Sequence, residues 1–510
     1  MVAHIVSPAL LGLHAATVHV EADLRSGMPA FAVVGLPDAA VQESRERVRS
    51  GLVNQAFNVP RQRIVVNLAP ADLRKVGPQY DLPIALAILA ASGQIRRSSM
   101  AGLGAVGELA LDGSLRSLQG TIAMAEHAAA SGWTRLIVPA ANAAEAALVS
   151  GIDIVPATSV RNAVDILEGR AQAVGAAIDP QAILAQHAGR HGPDMREIRG
   201  QTGARRALEV AAAGAHSTLM IGPPGGGKTM LARRLPSILP PLDLDHAVTL
   251  TRIHSVAGKL PANVAMMAER PFRAPHHTIS AVGLVGGGTI PRPGEVTLAH
   301  LGVLFLDEVC AFSPAALDAL RQPLEEGTVD ITRGMVTARF PARPLLVCAG
   351  NPCPCGYDGD SDRSCTCPPG RASAYRARLS GPIMDRIDLH LTVPRLESGD
   401  IVGQGRAAES SAVVRGRVIA ARARATGRGQ SVPNGLLPAN VARSVCELGG
   451  AEEALLRRAV DRYALSARAY DRLLRVARTI ADLDGGDRVE EHHLSEALGY
   501  RLPSSARSAA

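Results

Sequence analysis

Gly222-Pro-Pro-Gly-Gly-Gly-Lys228-Thr229, entered from the apolar run Ser217-Thr-Leu-Met-Ile221, is the segment from which the rest of the chain can be read. A strand delivering the backbone into such a glycine turn points successive N–H groups inward, where side chains would collide with a bound phosphate. A helix opening at Lys228 adds its positive end to the same space. The GxxxxGK[ST] spacing between a strand-like and a helix-like run predicts a phosphate-binding loop. The expected nucleotide-binding residues are Gly222, Pro223, Pro224, Gly225, Gly226, Gly227, Lys228, Thr229 and Met230. Lys228 would reach the β- and γ-phosphates of ATP, and the Thr229 hydroxyl would help hold Mg²⁺.

Further along, Gly302-Val-Leu-Phe-Leu-Asp307-Glu308 reads as a buried strand ending in two carboxylates, an acid placed at the carboxyl edge of a parallel sheet. Asp307 is the expected Mg²⁺ ligand, through water, and Glu308 the residue that polarises the attacking water.

At 510 residues the chain is too long for one core and calls for two to four domains. With aromatic residues at 3%, base-stacking platforms of the kind used by single-strand binders are not an evident resource. A formal charge of +7 permits an anionic partner but, over this length, also fits an ordinary protein surface. Met1-Val-Ala-His-Ile-Val lacks the basic region of a secretory signal, and no apolar run approaches a membrane span, so a cytoplasmic protein with no membrane partner is expected. Seven cysteines, four of them bunched in one loop, do not form a secreted disulfide framework.

Residues 1–170 interleave strand patterns (His14 to Val20, Ala30 to Val34, Arg63 to Leu68, Thr134 to Val138) with helical stretches such as Ala39 to Ser50, an α/β or α+β unit. Residues 171–193 are Ala/Gln/Gly-rich and linker-like. The nucleotide module follows over 194–394, and 395–510 is helical in pattern with Arg-rich faces.

With both halves of the phosphate site in view, the chain resembles the magnesium-chelatase-like branch of the AAA+ ATPases, and within it the ComM/YifB family. The motifs that carry this are Phe272-Arg-Ala-Pro-His-His-Thr-Ile-Ser280, Leu284-Val-Gly-Gly-Gly288, Pro323-Leu-Glu-Glu-Gly327, Gly350-Asn-Pro-Cys-Pro354, Ser380-Gly-Pro-Ile-Met-Asp-Arg-Ile-Asp388 and Leu465-Ser-Ala-Arg-Ala-Tyr470. The resemblance implies an AAA+ parallel-sheet ATPase with a C-terminal helical lid. It implies that Asn351 is sensor 1, an amide able to donate to and accept from the attacking water. It implies that Arg386 is the arginine finger given to a neighbouring subunit's ATP, a task suited to a permanently charged, bidentate group, with Arg378 as the local competitor. It implies that Arg468 is sensor 2, folding the lid onto the γ-phosphate of its own subunit, with Arg472, Arg475 and Arg478 at helical spacing from it.

Two inserts set this branch apart. Residues 276–294 carry a small apolar tip and a glycine hinge, and Thr328-Val-Asp-Ile-Thr-Arg-Gly-Met-Val-Thr-Ala-Arg339 reads as a β-hairpin turning at Arg333-Gly334. In the resembled clade such hairpins line the pore of a ring, which makes Arg333 and Arg339 the DNA-contact candidates beside the alternative of a solvated turn. His276 and His277 are given a structural role, because consecutive side chains diverge and no acidic partner is near in sequence. Cys353-Pro-Cys355 and Cys365-Thr-Cys367 supply four thiolates for Zn²⁺, or remain free thiols; their CxC spacing is tighter than a usual zinc knuckle.

The N-terminal unit resembles the Lon-protease-like, ribosomal-S5-domain-2-like fold at Arg74-Lys-Val-Gly-Pro-Gln-Tyr-Asp-Leu-Pro83 and Ala105-Val-Gly-Glu-Leu-Ala-Leu-Asp-Gly113. Gln79-Tyr80-Asp81-Leu82 stands where an active protease carries its nucleophilic serine, so the peptidase is degenerate. Arg45, Arg47, Arg49, Arg61, Arg63, Arg74 and Lys75 form a basic patch or a solvated face. The expected function is an ATP- and Mg²⁺-dependent ring, a hexamer, moving single-stranded or branched DNA as a helicase or branch-migration motor of recombination and natural transformation. The alternatives are a chelatase subunit, a protein remodeller and, against the missing serine, a peptidase.

Overall fold

The structure, a computed structural model, describes residues 2–175, 178–188, 192–261, 263–288, 291–333, 336–360, 362–379, 381–396 and 408–501, with the side chains of residues 333, 336, 381 and 382 excepted. Two compact units emerge: Met1–Ala185 with Asp243–Ala268 and Thr332–Phe340, and Gln186–Leu242 with Glu269–Ile331 and Pro341–Ala510.

In the first unit, Val2–Leu11 (β1) and His14–Arg25 (β2) pair as an antiparallel hairpin. Burial of Val18, Val20 and Ala22 follows the two-residue period of a strand with one covered face. With Ala30–Val34 (β3), Arg63–Ala69 (β4), Leu103–Ala105 (β5), Arg135–Pro139 (β6) and Asp153–Ala157 (β7) they form a seven-stranded sheet in the order β3-β4-β2-β1-β5-β6-β7. Helix α1 (Ala39–Asn54) is capped by Asp38, whose carboxylate accepts from the Val41 N–H. Helix α2 (Asp81–Ala91) is buried around its whole circumference, as its unbroken apolar run requires.

The first turn of α2 holds the remnant peptidase stretch. Asp81 is fully buried, accepts from Arg47 Nε at 2.6 Å and Nη2 at 3.0 Å, and also accepts from the Leu109 N–H at 3.1 Å. Two members of the basic patch are therefore turned inward: half-buried Arg47 is spent on Asp81, and Lys75 is buried, donating to the Pro70 carbonyl. Arg45, Arg49, Arg61, Arg63 and Arg74 are exposed. The single face read from the sequence is thus reduced by two cations whose inward turn a charge run cannot reveal.

The stretch 171–193 contains a short helix, Pro180–His187, with no buried residue. In the second unit, Thr218–Ile221 (β8), Phe272–Arg273 (β9), Val303–Leu306 (β10), Leu345–Gly350 (β13) and Leu389–Thr392 (β14) form a five-stranded sheet in the order β9-β10-β13-β8-β14, every pair parallel. Thr328–Arg333 (β11) and Val336–Pro341 (β12) make a separate two-stranded hairpin. The unbroken burial of Val303–Leu306 and Leu345–Gly350 is what a strand covered on both faces demands. Because all strands run the same way, their carboxyl ends share one edge and their amino ends the other.

Helices α3 (Thr202–Gly214) and α4 (Lys228–Ile238) pack on this sheet through Leu208, Val210, Leu231 and Leu235. The same apolar cluster takes in α5 (Ser411–Gly427), α6 (Ala439–Cys446), α7 (Gly450–Tyr463), α8 (Ala467–Asp484) and α9 (Glu491–Gly499). Arg478 of α8 is fully buried and held by Asp482 at 2.9 Å and by the carbonyls of Gly486 and Asp487, which makes it part of the helical scaffold. No helix among the described residues is long and apolar enough to cross a membrane.

Candidate active site

β8 ends at Ile221, and the chain turns at once around the carboxyl edge of the sheet. A Cβ on Gly222 would lie 2.0 Å from the Val393 carbonyl oxygen, so only glycine fits that crossing. Gly225 and Gly227 take left-handed backbones, with φ of 80° and 85°, and Gly227 caps α4. Lys228 opens the helix, and its ammonium donates to the carbonyls of Gly222 at 2.7 Å and Pro223 at 2.9 Å and to Asn351 Oδ1 at 3.1 Å. Burial draws the Lys228 pKa below its ordinary value, against the pull of Asp307. A cation in the first turn of a helix opposes the helix dipole, an arrangement that an anion at the same place would relieve.

The Thr229 hydroxyl donates to Asp307 Oδ2 at 2.8 Å, and the Glu308 N–H donates to Asp307 Oδ1 at 3.0 Å. A hydroxyl and a carboxylate meeting beside a glycine turn are the oxygen donors that Mg²⁺ takes, so the residues present fit that ion. Glu308 has φ of 50°, rare for a residue with a side chain, and its carboxylate is 61% exposed. His277 Nδ1 lies 3.6 Å from Glu308 Oε2. The expectation that no acid stands near the histidine pair therefore fails for His277, because β9 and β10 are neighbours and bring distant sequence to one edge.

One polar residue of this edge was missed. Gln201, itself at φ 49°, donates from Nε2 to the Gly226 carbonyl at 3.2 Å and to the Pro394 carbonyl at 2.8 Å, tying α3 to the glycine turn. Beside it a recess of about 560 Å³ is lined by Thr202, Leu391, Thr392, Arg395 and Tyr500. The only local signal was a Gly-Gln pair ahead of a helix, too common to weigh.

Arg386 and Arg468 lie elsewhere. They line a cavity of about 390 Å³ together with Glu325, Asp385, Arg472 and Arg475, and its floor includes Ala215, Ser217 and Asp388. Those floor residues precede β8 and β14, so the cavity sits at the amino edge of the sheet, across it from Lys228 and Asp307. Arg386 pairs with Glu325 of the Pro-Leu-Glu-Glu-Gly motif. Arg472 stands 3.7 Å from Asp388, and burial draws its pKa down. Arg468, which the resemblance implies as sensor 2, stands near the start of α8 and lines this amino-edge cavity with Ser217, ahead of β8 rather than at its phosphate-loop end. Arg378 is exposed beyond the helix Arg371–Arg376.

The four cysteines converge. Cys353, Cys355, Cys365 and Cys367 have all their sulfurs within 4.8 Å of one another, a group able to hold a metal ion. In the hairpin, Thr332 and Thr337 join by their hydroxyls at 3.0 Å, and Arg339 is exposed. The Arg333 side chain, Gly334 and Ser380 lie outside the described residues.

Comparison with known proteins covers nearly the whole chain. Residues 194–401 match the family model for magnesium chelatase, subunit ChlI; residues 20–142 match subunit ChlI of Mg-chelatase; residues 408–501 match the C-terminal part of that subunit. Competence protein ComM of Haemophilus influenzae is 44% identical over 497 residues, 97% of this chain and 96% of its own length. The uncharacterized protein YifB of Salmonella typhimurium is 42% identical over 494 residues, again 97% and 96%. Lon protease 2 of Bacillus subtilis is 32% identical over 145 residues, 26% of each chain.

Proposed function

Because this chain belongs to the ComM/YifB family of magnesium-chelatase-like AAA+ ATPases, we propose that it is a cytoplasmic, ring-forming motor that spends ATP on moving DNA. The observation that carries the reading is the separation of the two edges of one sheet. Lys228, Thr229, Asp307, Glu308 and Asn351 gather at the carboxyl edge, while Arg386 and Arg468 gather at the amino edge. A single subunit thus offers half of a phosphoryl-transfer site at each end, and the halves join only when copies stack edge to edge around a ring, read here as a hexamer.

In that arrangement the backbone N–H groups of 222–229 and the Lys228 ammonium receive the phosphates, exchanging the carbonyls of Gly222 and Pro223 for phosphate oxygens. The recess beside Gln201 takes the nucleoside. Mg²⁺, when bound between Thr229 and Asp307, supplies positive charge against the phosphate oxygens. Glu308 accepts the proton of the attacking water, Asn351 orients that water, and His277 positions the Glu308 carboxylate. Arg386, released from Glu325, and Arg468 neutralise the charge that develops on the neighbour's γ-phosphate. The cysteine cluster holds a structural zinc.

Residues 194–394 serve as motor and 395–510 as lid, with Arg333 and Arg339 facing the polymer from the hairpin. The degenerate domain at 1–170 organises the ring or adds DNA contacts. The setting is the handling of recombination intermediates, as the name of the competence relative suggests. ATP turnover measured with no polymer, single-stranded, duplex and four-way-junction DNA, and unfolded polypeptide tests this. Stimulation should be greatest with branched DNA and should weaken as salt rises. Stimulation by polypeptide alone would replace the motor reading with a protein remodeller, and indifference to every polymer would favour a chelatase-like subunit.

A further inference from the structure

The cysteine loop leaves β13 directly behind Asn351, and its position raises a question that holding a metal does not answer. β13 ends at Gly350, Asn351 accepts from Lys228, and Cys353, wholly buried, follows two residues later. The turn then closes through the Gly356 N–H donating to the Cys353 carbonyl at 3.0 Å. At Gly356 the backbone, φ 90°, presses on the phosphate loop itself: a Cβ there would lie 2.5 Å from Cδ of Pro224. On its outer side Arg376 donates to the Pro352 carbonyl at 3.2 Å and pairs with Asp358. The loop therefore touches the nucleotide site at two places, Asn351 on Lys228 and Gly356 on Pro224.

The sulfurs themselves lie in the geometry of a four-thiolate site. Cys353 Sγ is 3.2 Å from Cys355 Sγ and 3.7 Å from Cys365 Sγ, and Cys355 and Cys365 are 3.5 Å apart. Zn–S bonds of about 2.3 Å set tetrahedral S···S edges of about 3.8 Å. The N–H groups of Tyr357 and Thr366 turn toward Cys355 Sγ, and that of Cys367 toward Cys365 Sγ, the outer contacts that orient and polarise metal-bound thiolates. The tight CxC spacing is no obstacle, because Cys353 and Cys355 bring their sulfurs to 3.2 Å of each other and both approach Cys365.

We propose that the Cys353–Cys367 loop is a metal-closed brace for the phosphate loop, so that occupancy of the four-thiolate site sets the affinity of the protein for nucleotide. This rests on the readings of 222–229 as the ATP site and of the cluster as a zinc site. Binding exchanges four S–H protons for four Zn–S bonds with no change of oxidation state. Closing the loop by metal fixes Gly356 against Pro224 and Asn351 against Lys228. Without the metal, residues 353–367 lose the cross-link that joins their two ends, leaving the exposed Arg363–Tyr357 contact at 3.0 Å, and both contacts with the nucleotide site loosen together. The consequence falls first on nucleotide binding, through Lys228 and Pro224, and less on the chemical step, where only Asn351 is affected, since Asp307 and Glu308 follow β10, outside the loop.

The test uses the full-length protein, with zinc content measured by mass spectrometry and affinity for a fluorescent ATP analogue measured by titration. The zinc-loaded protein should hold one zinc per chain. Stripping with a strong chelator should weaken nucleotide binding about tenfold, zinc re-addition should restore it, and kcat at saturating ATP should change less than KM. The exposed Cys365→Ser variant should behave like the stripped protein. Gly356→Ala should keep its zinc yet bind nucleotide more weakly, because the added methyl drives the turn off Pro224. Zinc present but affinity unchanged within twofold after stripping and in Gly356→Ala would overturn the brace while leaving the zinc site. No zinc, with normal nucleotide binding, would overturn both. No nucleotide binding by the zinc-loaded protein would overturn the brace by removing the ATP site on which it rests.

Discussion

Helices α2 and α4 each begin on a buried charged residue, and they treat it in opposite ways. At Asp81 the carboxylate is sealed at zero exposure, paired with Arg47 through two hydrogen bonds and met by the Leu109 N–H, and it sits where the helix dipole favours an anion. At Lys228 the ammonium sits where the dipole disfavours a cation, and it is held by two backbone carbonyls and one amide oxygen that neutralise nothing. The first is a finished structure, with every partner supplied by the chain. The second is an arrangement with its counter-charge left out, and that omission identifies which of the two helix starts still awaits a ligand.

Replacing the two residues should separate function from folding. Lys228→Ala should leave the thermal transition within about a degree of the parent, since no buried ion pair is lost, while ATP turnover falls about 10³-fold, roughly 4 kcal/mol of transition-state stabilisation. Mixing Lys228→Ala subunits with Arg386→Ala subunits should restore part of that turnover, because some interfaces then pair an intact phosphate edge with an intact arginine edge. Two inactive variants that stay inactive when mixed would dissolve the division of labour between the sheet edges.

Asp81→Ala should do the reverse. It strands Arg47 beside a buried, apolar helix start, a loss of about 3 kcal/mol that denaturant unfolding of the N-terminal unit would register. Turnover per folded molecule should stay within twofold, because the hydrogen bonds of Asp81 among the described residues go to Arg47 and the Leu109 N–H. A turnover loss without a stability loss would mean that the degenerate site retains a function and that the contrast with Lys228 is false.

The sequence showed these two helix starts with unequal clarity, and the reason is physical. The phosphate loop is a local device: strand, glycine turn and helix follow one another within a dozen residues, and the spacing alone requires them. The acid pair at Asp307 and Glu308 was nearly as plain, since a buried strand announces itself by unbroken apolar residues. The amino-edge cavity was not legible, because Ser217, Glu325, Arg386 and Arg468 meet only through the order of strands in the sheet and the docking of α8. The burial of Lys75 and the pairing of half-buried Arg47 with Asp81 were equally invisible, since a run of basic residues looks the same whether or not two of them turn inward. Strands β1 and β7 escaped notice because small residues and proline blur their two-residue alternation. The meeting of His277 with Glu308, like that of Gln201 with Gly226, needed the fold before it could be seen.

The smallest change sharpens the contrast most finely. Thr229 differs from Lys228 in carrying no charge, so its contribution rests on one hydroxyl whose present partner is Asp307 Oδ2 at 2.8 Å. Thr229→Ser keeps that hydroxyl and removes only a methyl from an exposed side chain, at nearly the same helix propensity. Turnover should therefore remain within about threefold of the parent, with an unchanged response to Mg²⁺ concentration. Thr229→Val keeps the shape and removes the oxygen, and it should shift the Mg²⁺ dependence of turnover to higher concentration while the fold is untouched. If serine and valine behave alike, the hydroxyl serves only to hold Asp307 in place. If they part, the hydroxyl belongs, like the Lys228 ammonium, to the set of groups that the chain leaves open for its substrate.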